Sequence, residues 1–162
     1  MRIVYWLFFV SVALFISGIG FVIAAARTGR DAGAETAAPA TVPVATVAQI
    51  MNGITGPNAS VVYNAVGTII NADGVTEIEP KNDEEWANVA NAAAAVIESG
   101  NLLLIGDRAL DNGEWVTMTK AMIERGQAVL KAAQAKDKDA ILETGGPLNE
   151  TCDMCHAQYQ RQ

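Results

Sequence analysis

Near its C-terminal end the chain carries Cys152-Asp153-Met154-Cys155-His156, two thiols three positions apart followed at once by an imidazole. On an α-helix, positions i, i+3 and i+4 share a face, so both sulfurs and the ring can act on one flat group. That is the arrangement that attaches haem c. Each thiol adds across one vinyl group to make a thioether, and the imidazole beneath coordinates the iron. Two other uses of these residue types fit less well. A redox-active CxxC normally accompanies a βαβ unit, of which the sequence shows no sign. A closed zinc site takes four ligands, usually Cys or His, and the chain has two Cys and one His in all. Cys152 and Cys155 are therefore expected to hold one covalent haem c, with His156 as the proximal iron ligand.

The rest of the chain must position that motif. Its 162 residues carry 11 Lys and Arg against 18 Asp and Glu, a formal charge of −7, with 51% apolar residues. This balance argues against a nucleic-acid partner, which needs a clustered basic surface. Two Cys supply no disulfide framework, so the fold has to rest on an apolar core or a cofactor.

Residues 3–26 form a run of 24 without a charge, flanked by Arg2 and by Arg27 and Arg30. The run is long enough to span a bilayer as a helix, while Ala24-Ala25-Ala26 suits a signal-peptide cleavage site. A transmembrane anchor or a signal peptide is expected over residues 1–26. Residues 27–45, with Pro39 and Pro43 and no helical or strand period, read as a flexible linker that would reach roughly 25 Å end to end.

Residues 46–162 then show four helical segments. The first has Val47, Ile50, Met51 and Ile54 at i, i+3, i+4 and i+7. Pro57 should kink it before the pattern resumes at Val61, Ala65 and Val66. The second opens on Asn82 as N-cap, with Glu85 three positions on, and turns Trp86, Val89, Ala93 and Ile97 inward. The third repeats the period with Trp115, Met118, Met122, Val129 and Ala133, with Asn112 as a plausible cap. The fourth starts near Asp137 and runs to about Tyr159, bent at Gly145-Gly146-Pro147. No alternating β pattern of useful length stands out; Val75 to Ile78 comes nearest. The expected class is all-α, a four-helix bundle, whose usual cofactor site lies between facing helices.

A bundle with CDMCH a few residues from its end, followed by Tyr159, resembles the class II c-type cytochromes, the cytochrome c-prime family, over residues 46–162. Class I cytochromes c differ in carrying the motif near the N-terminus. The resemblance implies that Cys152 and Cys155 form the thioethers, that His156 is the proximal ligand, and that the first helix crosses the distal face of the haem. Low-spin members place a Met there as the sixth ligand, and Met51 matches that position in type and place. On residue type alone a Met on an apolar helical face is more often core filler. The other candidates are Met118 and Met122, a turn apart beside Trp115, and Met154, which lies between the thioether Cys and cannot reach the opposite face of the ring. Family members often carry a basic residue on the first helix near the propionates, and this chain has none between Arg30 and Lys81. Related bundles often dimerise through their first two helices, so a homodimer is a further expectation.

Lesser features have plainer readings. Arg108, in the loop before the third helix, can pair with a haem propionate or stand as a solvated loop residue. Trp86 and Trp115 suit core packing, Tyr159 packing over the proximal side, and the Lys136 to Asp139 run a solvated helix start. Apart from a His already assigned to iron, the sequence offers no acid, base or nucleophile constellation, so no enzyme is expected. The function expected is that of a mono-haem, periplasm-facing carrier of single electrons that serves redox partner proteins. The competing expectation is a five-coordinate module that binds nitric oxide or carbon monoxide, and a third is a structural haem subunit of a membrane complex.

Overall fold

The computed structural model describes residues 2–31 and 41–160, with the side chains of residues 2, 18 and 20–31 outside that description. The chain divides into two compact units, Met1–Ala40 and Thr41–Gln162. The first contains one helix, α1 (Arg2–Asp31), which continues five residues past the expected boundary at 26. Residues 32–40 of the expected linker lie outside the described residues. Among the described residues, no helix is long and apolar enough to cross a membrane.

The second unit is mostly helical. Its first helix is continuous from Val47 to Tyr63 in three parts: α2 (Val47–Ile50), a π turn (Met51–Thr55) and α3 (Gly56–Tyr63). Thr46 starts it with a full capping box, its hydroxyl accepting from Gln49 N at 3.2 Å while Gln49 Oε1 accepts from Thr46 N at 2.9 Å. The expected kink at Pro57 takes the form of the π turn. Proline has no N–H for the carbonyl four residues back and its ring would strike that carbonyl, and a widened preceding turn relieves both problems. In that turn Gly56 N–H reaches back to Met51 O.

Burial records the extra residue. Ile50, Thr55, Ala59, Val62 and Val66 are the buried positions, a step of five followed by steps of four, three and four. Val61 and Ala65, expected inside, pack only partly against the core. Thr55 donates its hydroxyl to Ser99 Oγ at 2.9 Å, which ties the π turn to the next helix.

A hairpin that no alternating pattern announces follows the first helix. β1 (Gly67–Asn71) pairs antiparallel with β2 (Gly74–Ile78), in register Gly67↔Ile78 and Asn71↔Gly74. Asp73-Gly74 closing a short apolar run was the available signal. Gly74 takes a φ of 129°, which excludes most other residues.

Three long helices follow: α4 (Asp83–Leu103), α5 (Glu114–Gln134) and α6 (Lys138–Tyr159). The cap expected for the first is present, Asn82 Oδ1 accepting from Glu85 N, and the last starts where expected, with Asp137 Oδ1 accepting from Ala140 N. Trp86, Val89, Ala93 and Ile97 are buried as the period required, and so are Trp115, Met122, Val129 and Ala133, whereas Met118, expected with them, is half-buried and Thr119 beside it is buried. Helices α3 and α4, α4 and α5, and α5 and α6 pack in turn. Their end contacts show alternating directions. Asp83 meets Lys136 at one end, and Leu103 meets Trp115 and Trp115 meets Tyr159 at the other.

The α4–α5 seam is closed by two reciprocal glycine contacts. A Cβ on Gly100 would stand 2.6 Å from Ile123 Cγ1, and one on Gly126 would stand 2.8 Å from Ile97 Cγ1. Each glycine lets a stiff, β-branched side chain of the facing helix sit against backbone. Gly100→Ala should therefore destabilise the domain by about 1–2 kcal/mol, overpacking outweighing the gain of about 1 kcal/mol in helix propensity. Urea unfolding checks this, and a more stable variant would contradict the close approach.

Candidate haem-attachment site

Helix α6 is set against α5 by Ile141, Leu148 and Thr151, all buried on one face. Pro147 lies inside this helix without ending it. The turns after it carry the motif on the flank of that face. Cys152 and Cys155 are half-buried free thiols, Cys152 Sγ lying 3.6 Å from Leu148 O, and His156 is exposed. Burial, and then Cys152, pushes the Cys155 thiol above its ordinary pKa.

The end of α6 is tied to the start of α5. The Tyr159 ring meets Trp115 edge-on, with centroids 5.0 Å apart and planes at 75°. Tyr159 donates its hydroxyl to Asp111, and Gln158 Nε2 donates to Glu114. Trp115 itself is buried, with Nε1 donating to Leu103 O at 3.1 Å. Asp111 serves both helices, because its Oδ1 also accepts from Gly113 N at 2.8 Å and from Trp115 N at 3.1 Å. It is therefore Asp111, and not the expected Asn112, whose side chain caps α5, since an acceptor one residue earlier reaches the free N–H groups.

Only one contact between α3 and α6 stands out: Tyr63 hydroxyl lies 3.8 Å from Cys152 Sγ. Among the described residues, no packing comparable to that of the other neighbouring helices joins α3 to α6. Burial, followed by Cys152, pushes the Tyr63 pKa up and keeps its hydroxyl protonated. Nothing in the sequence marked Tyr63, because its side of the helix depends on the π turn.

On α6, Gly145 lies seven residues before Cys152 and so on the same side of the helix, and a Cβ added there would meet nothing within 4 Å. Two half-buried sulfurs one turn apart, an exposed imidazole beside them and an open side of the domain fit a flat group held through both thiols and the ring.

The remaining candidates are separated by their surroundings. Met51 is partly buried against the core at the start of the π turn. It lies twelve residues before Tyr63, about 18 Å along the helix, toward the same end to which α6 runs from Cys152. Met122 is a core residue with its methyl beside Gly100, Met118 is half-buried on the same helix, and Met154 is exposed.

Arg108 is not the solvated loop residue expected. It is 9% exposed, donating from Nε to Ala45 O at 3.0 Å and from Nη1 to Leu102 O at 2.9 Å. It thus fastens the chain entering α2 to the last turn of α4, where a cation suits the helix dipole. A groove of about 840 Å³ lies between α3, β2 and the start of α4, lined among others by Val61, Asn64, Ile78 and Glu85. None of the motif residues borders it.

The Tyr159–Asp111 bond has a pH signature. Asp111 is held below the usual carboxylate range by the Tyr159 hydroxyl, and that same bond pushes Tyr159 up to about 12. Its stabilising effect is complete below the unfolded tyrosine pKa near 10 and is lost as pH rises from there toward 12. For Asp111 the stabilising effect is present above the unfolded carboxylate pKa and fades as pH falls through the lowered folded value. Thermal melts across alkaline pH should show a loss of stability that Tyr159→Phe reduces, leaving the part due to Tyr63; an identical pH profile in the variant would contradict the assignment. Comparison of the chain with protein-family models, with curated proteins and with solved structures gives no match.

Proposed function

We propose that this chain is a mono-haem c-type cytochrome that carries single electrons on the outer side of the cytoplasmic membrane. The observation that carries the reading is the placement of Cys152, Cys155 and His156 on a helix fixed at its end by Trp115 and Asp111, beside an open flank. Cys152 and Cys155 would hold the haem as thioethers and His156 would bind its iron. When bound, haem supplies one-electron exchange between ferric and ferrous iron.

The alternating helices of the second unit and the late position of the motif support the resemblance to the cytochrome c-prime family, with a four-helix bundle as the finer architecture. Met51 is the sixth ligand in this reading. Its neighbours Val47 and Ile54 are apolar, which favours a neutral thioether over water. With both axial positions filled in either oxidation state, little has to reorganise when an electron moves. Residues 3–26 serve export, as a signal peptide or as a retained anchor, because thioether formation in bacteria takes place outside the membrane. The net charge of −7 suits redox partners with a basic docking face.

One observation favours the alternative, a gas-binding protein with an open sixth position: Gly56, seven residues before Tyr63 and so on its face, leaves part of the first helix bare there. Two measurements separate the readings. Haem should stay with the denatured chain through acidic organic extraction, and should be released once Cys152 and Cys155 are both replaced by Ser; extraction from the wild type would refute attachment. Met51→Ala should speed carbon monoxide binding by about tenfold or more, since no thioether has to leave first, and should lower the potential. A wild type that already binds the gas as fast as the variant would place the protein with the gas binders.

A further inference from the structure

The π turn determines which residue faces the motif. An α-helix rotates by about 100° per residue, so twelve residues of regular helix would leave Met51 about 120° away from Tyr63. A π turn accommodates one additional residue, and discounting it brings the two to within about 20° of each other. The burial pattern supports the same count independently. Ile50 is 1% exposed and Val62 is 1% exposed, also twelve apart, so these two share the core face. Met51 and Tyr63 each follow one of them by a single position and share the adjacent face. Tyr63 is the residue that reaches Cys152. Without the extra residue the core step of four would bury Met51 above Thr55 and turn Ile50 away.

The cause lies at Pro57, which has no N–H and cannot follow a regular turn without striking the carbonyl of Gly53. We infer that Pro57 is a positioning residue for Met51, forcing the π turn that moves the thioether off the core face and onto the flank where Tyr63 meets Cys152. This rests on the reading of Met51 as an iron ligand. The glycines flanking the turn agree with the role, since the widened backbone brings Gly56 close under Met51 O, where a Cβ would stand at 3.0 Å.

The test uses the haem-loaded protein and three variants, read by the ferric absorption and magnetic circular dichroism bands of thioether-ligated iron. Met51→Ala comes first and should lose those bands and turn high-spin; if it keeps them, the ligand reading itself is overturned. Pro57→Ala should allow a regular helix, bury Met51 and convert the low-spin form into a largely high-spin one, with carbon monoxide binding accelerated toward that of Met51→Ala. Deletion of Asn52 in the Pro57→Ala background restores the eleven-residue spacing that a regular helix needs to keep Met51 beside Tyr63, and should restore the low-spin bands. Pro57→Ala with an unchanged spectrum, given a Met51→Ala that has lost its bands, would overturn the positioning role while leaving the ligand in place. A double variant that stays high-spin would overturn it as well, because the effect of Pro57→Ala would then be damage and not rotation.

Discussion

The last turns of a helix fray, because their carbonyls lack partners. In α6 those turns carry Cys152, Cys155 and His156, three side chains that are useful together only while the helix keeps them on one side. Tyr159 meets that constraint by laying its ring on Trp115 and its hydroxyl on Asp111. Trp115 is in turn fixed by Leu103 O, and Asp111 by the first N–H groups of α5. One short cluster therefore joins the end of α4, the start of α5 and the end of α6. Arg108 brings the entry to α2 to the same place through Ala45 and Leu102. The end of the domain beside the motif is thus tied across α2, α4, α5 and α6.

The sides of the domain are unequal for a related reason. Gly100 and Gly126 bring α4 and α5 so close that nothing fits between them. Between α3 and α6, among the described residues, there is no comparable packing, and the Tyr63 hydroxyl approaches Cys152 Sγ. A domain this small has a limited apolar core, and closing one seam tightly offsets the cost of leaving another open. Half-burial of the two thiols follows from their place on the flank of α6, next to the face that packs on α5 and not on it.

Much of this was legible in the sequence because it depended on local rules. Asn82 and Asp137 cap as their types suggest, and the periodic positions of α4 and α5, Met118 excepted, are buried where the 3.6-residue repeat puts them. The chemistry proposed for CDMCH likewise rests on spacing. What escaped depended on distant partners or on a break in the repeat. Arg108 reads as a polar loop residue until Ala45 O and Leu102 O converge on it. Asn112 and Asp111 are equally good caps by type, and only the turn geometry chooses Asp111. The hairpin hid because Ile69, Ile70 and Val75 are exposed on a two-stranded ribbon with no buried face to impose alternation. Pro57 announced a distortion but not its kind, and a π turn differs from a kink in that it shifts the phase of everything before it. Tyr63 and Met51 could be brought to one face only once that phase was known.

A low-spin electron carrier with iron held between His156 and Met51 would show itself in the electron paramagnetic resonance spectrum of the ferric wild-type protein. Ligation by both residues predicts a rhombic low-spin signal with no substantial high-spin component. A dominant axial high-spin signal would contradict it, leaving the covalent attachment at Cys152 and Cys155 intact but the sixth position open.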